Sequence, residues 1–409
     1  MTTTVTPTMR RLLGVGALCA TLAGAARADG DEGAAKPKAA SPAKAAQPVD
    51  LAICLDTSGS MNGLIDAARQ KLWAIVNDLA LAQPIPRLRV ALLTFGNDGH
   101  PAEMGWVRVD HAFTEDLDAI SQQLFALTTN GGTELVGRVL KAASERLEWS
   151  DDPAALKVVM VAGNESAEQD SEVDFRTICK SLIERGIVVN SIYCGNPADG
   201  LAPAWQEVAR RADGQFASID QQNGTIVIST PFDGELAALS SAINETFIAY
   251  GAAGQAAAEN QVRQDQNAQG CNDAAAAARA CTKAGAFYKC SWDLVDAVKG
   301  GSVKLEDVKK EELPEKMREL TIDEKRKCVD AAWAKRQEIQ KKIQGVGEKR
   351  ARHIEAEMHR QGAKDDAAFD RAVRDAIRRQ AESKGFRFPS GEAPAAAPAG
   401  APAAEVKHE

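Results

Sequence analysis

Between residues 49 and 220 the chain alternates short apolar runs with longer stretches whose apolar residues recur at helical spacing. Asp50–Leu55 reads as a buried strand, and Asn62–Ala82 as an amphipathic helix carrying Leu64, Ala68, Leu72, Ile75 and Leu79 on one face. Further strands are predicted at Leu88–Phe95, Trp106–Phe113, Lys157–Ala162, Ile187–Cys194 and Gln215–Ile219. Helices are predicted at about 134–149, 173–185 and 203–212. Strands alternating with helices specify an α/β fold: a doubly wound, mostly parallel six-stranded sheet of order 3-2-1-4-5-6, its third strand an antiparallel edge.

The same pattern places Asp56-Thr57-Ser58-Gly59-Ser60 in the loop that leaves the first strand at its C-terminal end, the edge where open α/β sheets bind ligands. One carboxylate and two hydroxyls form a hard-oxygen set suited to Mg²⁺, Mn²⁺ or Ca²⁺ rather than zinc. The bland reading of Ser58 and Ser60 is that they cap the helix and turn the loop.

Asp-x-Ser-Gly-Ser-Met after an apolar strand resembles the metal-ion-dependent adhesion site of von Willebrand factor A domains, here of an exported bacterial type with a helical C-terminal extension. The resemblance covers about 49–220. It implies that Asp56, Ser58 and Ser60 hold a divalent cation, Mg²⁺ above Mn²⁺ or Ca²⁺, some of them through water. Asn130-Gly131-Gly132-Thr133-Glu134 matches the loop that gives the family its threonine ligand, here Thr133. An open coordination position would then accept an acidic side chain of a protein partner. The chain departs from the family after the fourth strand. Where family members carry Thr-Asp-Gly, it reads Ala162-Gly163-Asn164-Glu165, so Asn164 stands in the aspartate's place. An amide oxygen still accepts a hydrogen bond, but the site loses one negative charge. That weakens cation binding and leaves the ion more electrophilic, unless Glu165 compensates.

Residues 1–28 have the form of a signal peptide: Arg10 and Arg11, an apolar run from Leu12 to Ala26, and Ala26-Arg27-Ala28 as the cleavage site. They predict export to the periplasm or beyond. No later run is apolar and long enough to span a membrane. Residues 29–48 form an Ala/Pro/Lys linker and 390–409 an Ala/Pro tail, both expected to be disordered. The A-type domain is taken as 49–250 and a charged, mainly helical extension as 251–389. The helix at 235–247 is expected to close the domain or pack on its flank.

Export gives the cysteines meaning. Cys54, Cys179 and Cys194 fit buried, inert thiols. Cys271, Cys281, Cys290 and Cys328 match no zinc spacing and are expected to form two disulfides, with three pairings open.

Charge divides the chain: 49–250 holds 14 basic and 28 acidic residues, whereas 302–388 holds 23 basic and 18 acidic. In the extension the signs are interleaved, which suits solvated helices with i,i+4 pairs, or docking of those helices on the acidic domain. A helical hairpin broken near Gly345–Gly347 is expected. A pI near 5.4 argues against nucleic-acid binding. No H-E-x-x-H spacing, nucleophile elbow or P-loop occurs, so no enzyme activity is expected and hydrolysis is the weakest alternative. The leading reading is an exported, cation-dependent protein-binding module. Its rival is a structural envelope protein with a vestigial metal site that binds through the extension.

Overall fold

The computed structural model describes residues 46–65, 75–79, 81–219, 228–361 and 364–388. The signal stretch 1–28, most of the linker 29–48 and the tail 390–409 lie outside them. The described residues belong to one compact unit that begins at Ala46.

Six strands form one sheet of order β3-β2-β1-β4-β5-β6, as the alternation predicts. They are β1 (Pro48–Asp56), β2 (Arg87–Phe95), β3 (Val107–Thr114), β4 (Leu156–Gly163), β5 (Ile187–Tyr193) and β6 (Phe216–Ser218). β1 pairs in parallel with both β2 and β4, and β3 runs antiparallel along the edge. Strands buried on both faces explain the continuous apolar runs.

Alternate residues feed two cores. On one face Ala52, Cys54, Leu93, Val159 and Val161 pack under three helices: Val136–Arg146, Phe175–Glu184 and Ala202–Arg211. All three match the predicted spans to within a residue or are enclosed by them. The helix Leu117–Ala126 was not foreseen, although Asp116 caps it by accepting from the amides of Asp118 and Ala119. It lies on the opposite face, where Leu51, Ile53, Leu92, Val158 and Met160 also meet Ile75, Val76 and Leu79.

That second face is completed from far downstream. Phe287, Tyr288 and Trp292 pack on it, as do Val373, Ile377 and Ala381 of the helix Lys364–Ser383, followed by Phe386. Arg378 forks onto Asp78, with Nε 2.9 Å from Oδ2 and Nη2 2.5 Å from Oδ1. The side-chain amides of Asn190 and Gln380 exchange hydrogen bonds of 3.1 and 2.8 Å. The backbones of Gln83 and Arg387 exchange a further pair. By contrast, the helix Asp233–Asn244 packs its Leu236 and Ile243 against Ala277, Ala280, Ile339 and Ile343, within the extension.

Two expectations for the extension fail. The chain does not break at Gly345–Gly347: one helix runs from Ile322 to Gln361. A Cβ on Gly347 would come within 3.1 Å of Cys281 Sγ, so this glycine allows a close helix approach that outweighs its weak propensity. Two disulfides would need all four downstream cysteines, yet Cys281, Cys290 and Cys328 are free thiols. Burial holds Cys281 and Cys290 in the thiol form by raising their pKa.

Candidate metal centre

Asp56 ends β1 and is wholly buried between the β2 and β4 edges. Two glycines make room for its carboxylate. Gly96 has φ +80°, and a Cβ there would lie 2.7 Å from Asp56 Oδ1. A Cβ on Gly163 would lie 3.2 Å from Asp56 Oδ2 and 3.1 Å from the Trp205 ring.

The loops around the carboxylate are stitched by backbone. Thr57 donates to the Phe95 carbonyl at 2.9 Å, Gly59 to the Gly131 carbonyl at 3.0 Å, and Asn130 to the Thr57 carbonyl at 3.0 Å. The Asn97 amide donates to the carbonyls of Thr57 and Thr128, tying three loops together. Trp205 Nε1 donates to the Glu165 carbonyl at 2.8 Å and fixes the loop after β4.

Asp56 Oδ1 accepts from the Ser58 amide at 2.7 Å. Oδ2 is buried and accepts from no donor among the described residues. The hydroxyls of Ser58 and Ser60 lie 2.8 Å apart, and Ser60 also donates to Asn164 Oδ1 at 3.1 Å. Asp56, Ser58, Ser60 and Asn164 therefore converge at one point, which opens to solvent at the exposed Ser60. Ser58 makes no side-chain cap to the short turn that follows, which disfavours the capping role. Thr133 is half-buried, and its backbone is bridged to Gly96, the residue that makes room for Asp56.

The residue after Thr133 was not foreseen as part of the site. Glu134 is 3% exposed, and its Oε1 stands 3.5 Å from Ser60 Oγ. The point where a Gly96 Cβ would fall is 2.9 Å from Glu134 Cγ as well as 2.7 Å from Asp56 Oδ1, so the two acidic side chains flank the same small space. Burial and then the Asp56 charge push the Glu134 carboxyl up to about 9. Burial also raises Asp56, against the hydrogen bonds it accepts. Two carboxyls this close need a proton or a cation between them. Glu165, which sequence reasoning offered as the compensating charge, is half-buried, and its charge lifts Glu134 further.

A buried carboxylate oxygen without a donor, two adjacent hydroxyls, a second carboxylate and an amide oxygen make a donor set that fits a hard divalent cation. Among the described residues, no three His, Cys, Asp or Glu side chains converge as a metal site of their own. Another buried polar cluster is built on β2, where Thr94 Oγ1 donates to Asp110 at 2.6 Å and meets His100 Nε2 at 2.8 Å. The threonine proton goes to the carboxylate rather than to the imidazole, which is not the arrangement of an activated nucleophile.

Residues 50–213 match the family model of the von Willebrand factor type A domain. The match covers less than half of the chain. Among solved structures, proximal thread matrix protein 1 from the mussel byssus, with zinc in its MIDAS motif, aligns at 17% identity and a TM-score of 0.34. The alignment covers 43% of this chain and 43% of the byssus protein, so it spans less than half of that relative. The VWA domain of SpRpn10 aligns at 15% identity and a TM-score of 0.33, covering 42% of this chain and 89% of that one. A von Willebrand factor type A protein from Catenulispora acidiphila aligns at 20% identity and a TM-score of 0.34, covering 44% and 40%. None of the curated proteins compared with the sequence matches it.

Proposed function

We propose that the chain is an exported, non-catalytic protein-binding module that works through a divalent cation, Mg²⁺ foremost, at the C-terminal edge of its sheet. Asp56, Ser58, Ser60 and Asn164 would hold the ion, with Thr133 as a further ligand. With the ion in place, an open coordination position accepts a carboxylate oxygen from the partner. The observation that carries this reading is Asp56 Oδ2, a buried anionic oxygen with no donor among the described residues. Such an oxygen is costly unless something positive completes it. Export rests on the N-terminal sequence, and no helix among the described residues is long and apolar enough to cross a membrane.

The test is titration calorimetry of Mg²⁺ and Mn²⁺ into the whole chain and into Asp56→Ala. Wild type should bind one cation and the variant none. Glutarate, as a carboxylate probe, should then bind wild type only with the cation present. Equal cation affinities in the two proteins end the reading.

A further inference from the structure

Asn164 leaves the site one charge short of its family's pattern, and the structure supplies that charge from another place. Glu134 lies on the loop beside Thr133 and reaches the same small space as Asp56. It is 3% exposed, and its Oε1 is within 3.5 Å of Ser60 Oγ. Among the described residues, no basic side chain is bonded to it. Arg138, four residues on, holds Asp170 and Glu172, and Arg176 holds Glu168 and Glu207. Among the described residues no cationic side chain offsets this buried carboxylate beside Asp56, and two carboxyls this close need a proton or a metal ion between them.

We infer that Glu134 is the second anionic ligand of the cation, and that it supplies the charge that Asn164 lacks in the place of the family's aspartate. The inference rests on the cation reading of this site. It adds that the charge has moved from the loop after β4 to the loop before the helix Val136–Arg146. The relocation has a consequence for the open face. The charged ligand now approaches from the Asp56 side, where it is buried, whereas the loop after β4 contributes only the half-exposed amide of Asn164. An ion held this way carries two formal charges of ligand on its inner side and neutral oxygens at its mouth. The mouth therefore repels an incoming carboxylate less than a mouth lined by an aspartate would.

The test is a charge swap read by Mn²⁺ calorimetry on the whole chain, without any partner. Glu134→Gln keeps the shape and removes the charge, and Mn²⁺ affinity should fall by about tenfold or more. Adding Asn164→Asp to that variant should bring the affinity back to within about threefold of wild type, which repair of packing alone would not do. In the wild-type background Asn164→Asp should gain less than about threefold, because the charge is already present. This last variant keeps the question open to experiment if Glu134→Gln fails to fold.

The outcomes separate. No Mn²⁺ binding by wild type removes the cation reading and the inference together. Binding by wild type with equal affinity in Glu134→Gln overturns the inference and leaves the cation reading standing. A loss in Glu134→Gln that Asn164→Asp does not rescue also overturns it, since the glutamate would then be needed only for the loop. A gain well above tenfold from Asn164→Asp alone would show the charge at 134 to be absent from the ion.

Discussion

At the scale of single residues the site is organised by what surrounds Asp56. Gly96 and Gly163 leave the carboxylate its space, and Gly96 does so with φ +80°. Gly96→Ala would add left-handed strain and drive a methyl to 2.7 Å from Asp56 Oδ1. It should cost about 1–3 kcal/mol of stability and abolish cation binding together. Asp56→Ala should behave oppositely in the cation-free protein. It removes a buried charge whose desolvation outweighs the hydrogen bonds it accepts, and it relieves Glu134 of its neighbour. Its melting temperature without cation should therefore equal or exceed that of wild type, although it no longer responds to Mg²⁺. A variant that melts several degrees lower would make Asp56 a structural residue first. Asp56, Ser58 and Ser60 were legible in the sequence because the motif is local: one loop at the end of one strand. Glu134 was not, because its neighbour Thr133 was the motif residue and nothing in the spacing tells which of two adjacent side chains turns inward. The clue available was chemical: Asn164 left a charge missing, and an acidic residue stood one place beyond the threonine.

At the scale of elements the six strands and their order followed from periodicity, since each strand's burial is set by its own composition. The elements that were misjudged are those whose partners are distant in sequence. Val373 and Ile377 are at helical spacing, but on a helix dense in charge they read as a sparse stripe on a solvated surface. In the fold they cover the sheet face beside Met160 and Ile192, with Arg378 locked to Asp78. Gly345 and Gly347 were taken as a break for a related reason: local propensity was the only guide, and the packing of Gly347 on Cys281 is tertiary. The helix Leu117–Ala126 was passed over although Asp116, Leu117, Ile120 and Leu124 give a cap and a face. The buried Ile377 tests the closing role of the last helix. Ile377→Ala should cost about 2–5 kcal/mol, the range for a core truncation, whereas a surface position would lose a few tenths. Chemical denaturation of the two proteins distinguishes these outcomes.

At the scale of the whole molecule, the acidic sheet-bearing part and the charged extension meet through buried ions as well as apolar side chains. Arg279, from the helix Asp273–Ala284, reaches Asp118 at 2.5 Å and Asp265 at 3.0 Å. Tyr288 donates to Asp118 at 2.6 Å. Lys283 lies fully buried and donates to Asp265 at 2.6 Å, to Asn244 at 2.7 Å and to the Ser240 carbonyl at 2.9 Å. The composition showed opposite charge balances in the two segments but not that a few of those charges would be sealed inside. Which ones are sealed depends on helix packing that no local pattern reveals. Desolvation, only partly offset by Asp265, lowers the Lys283 ammonium from its usual 10.5 to about 8. The direction of the pH effect follows. A lysine depressed in the folded state binds its proton more weakly there than in the unfolded chain. Its contribution to stability is then full above about 10.5 and is lost as pH falls toward about 8. Stability of the wild type should therefore carry a rising component across that window, on the order of 3 kcal/mol at most. Lys283→Met should lose that component while Asp265 keeps Arg279 and Asn244 as partners. Comparing the two proteins cancels the tyrosines and other groups that titrate in alkali. If denaturation midpoints of wild type and Lys283→Met run parallel from pH 8 to 10.5, the buried lysine keeps an ordinary affinity for its proton, and Asp265 compensates its burial in full.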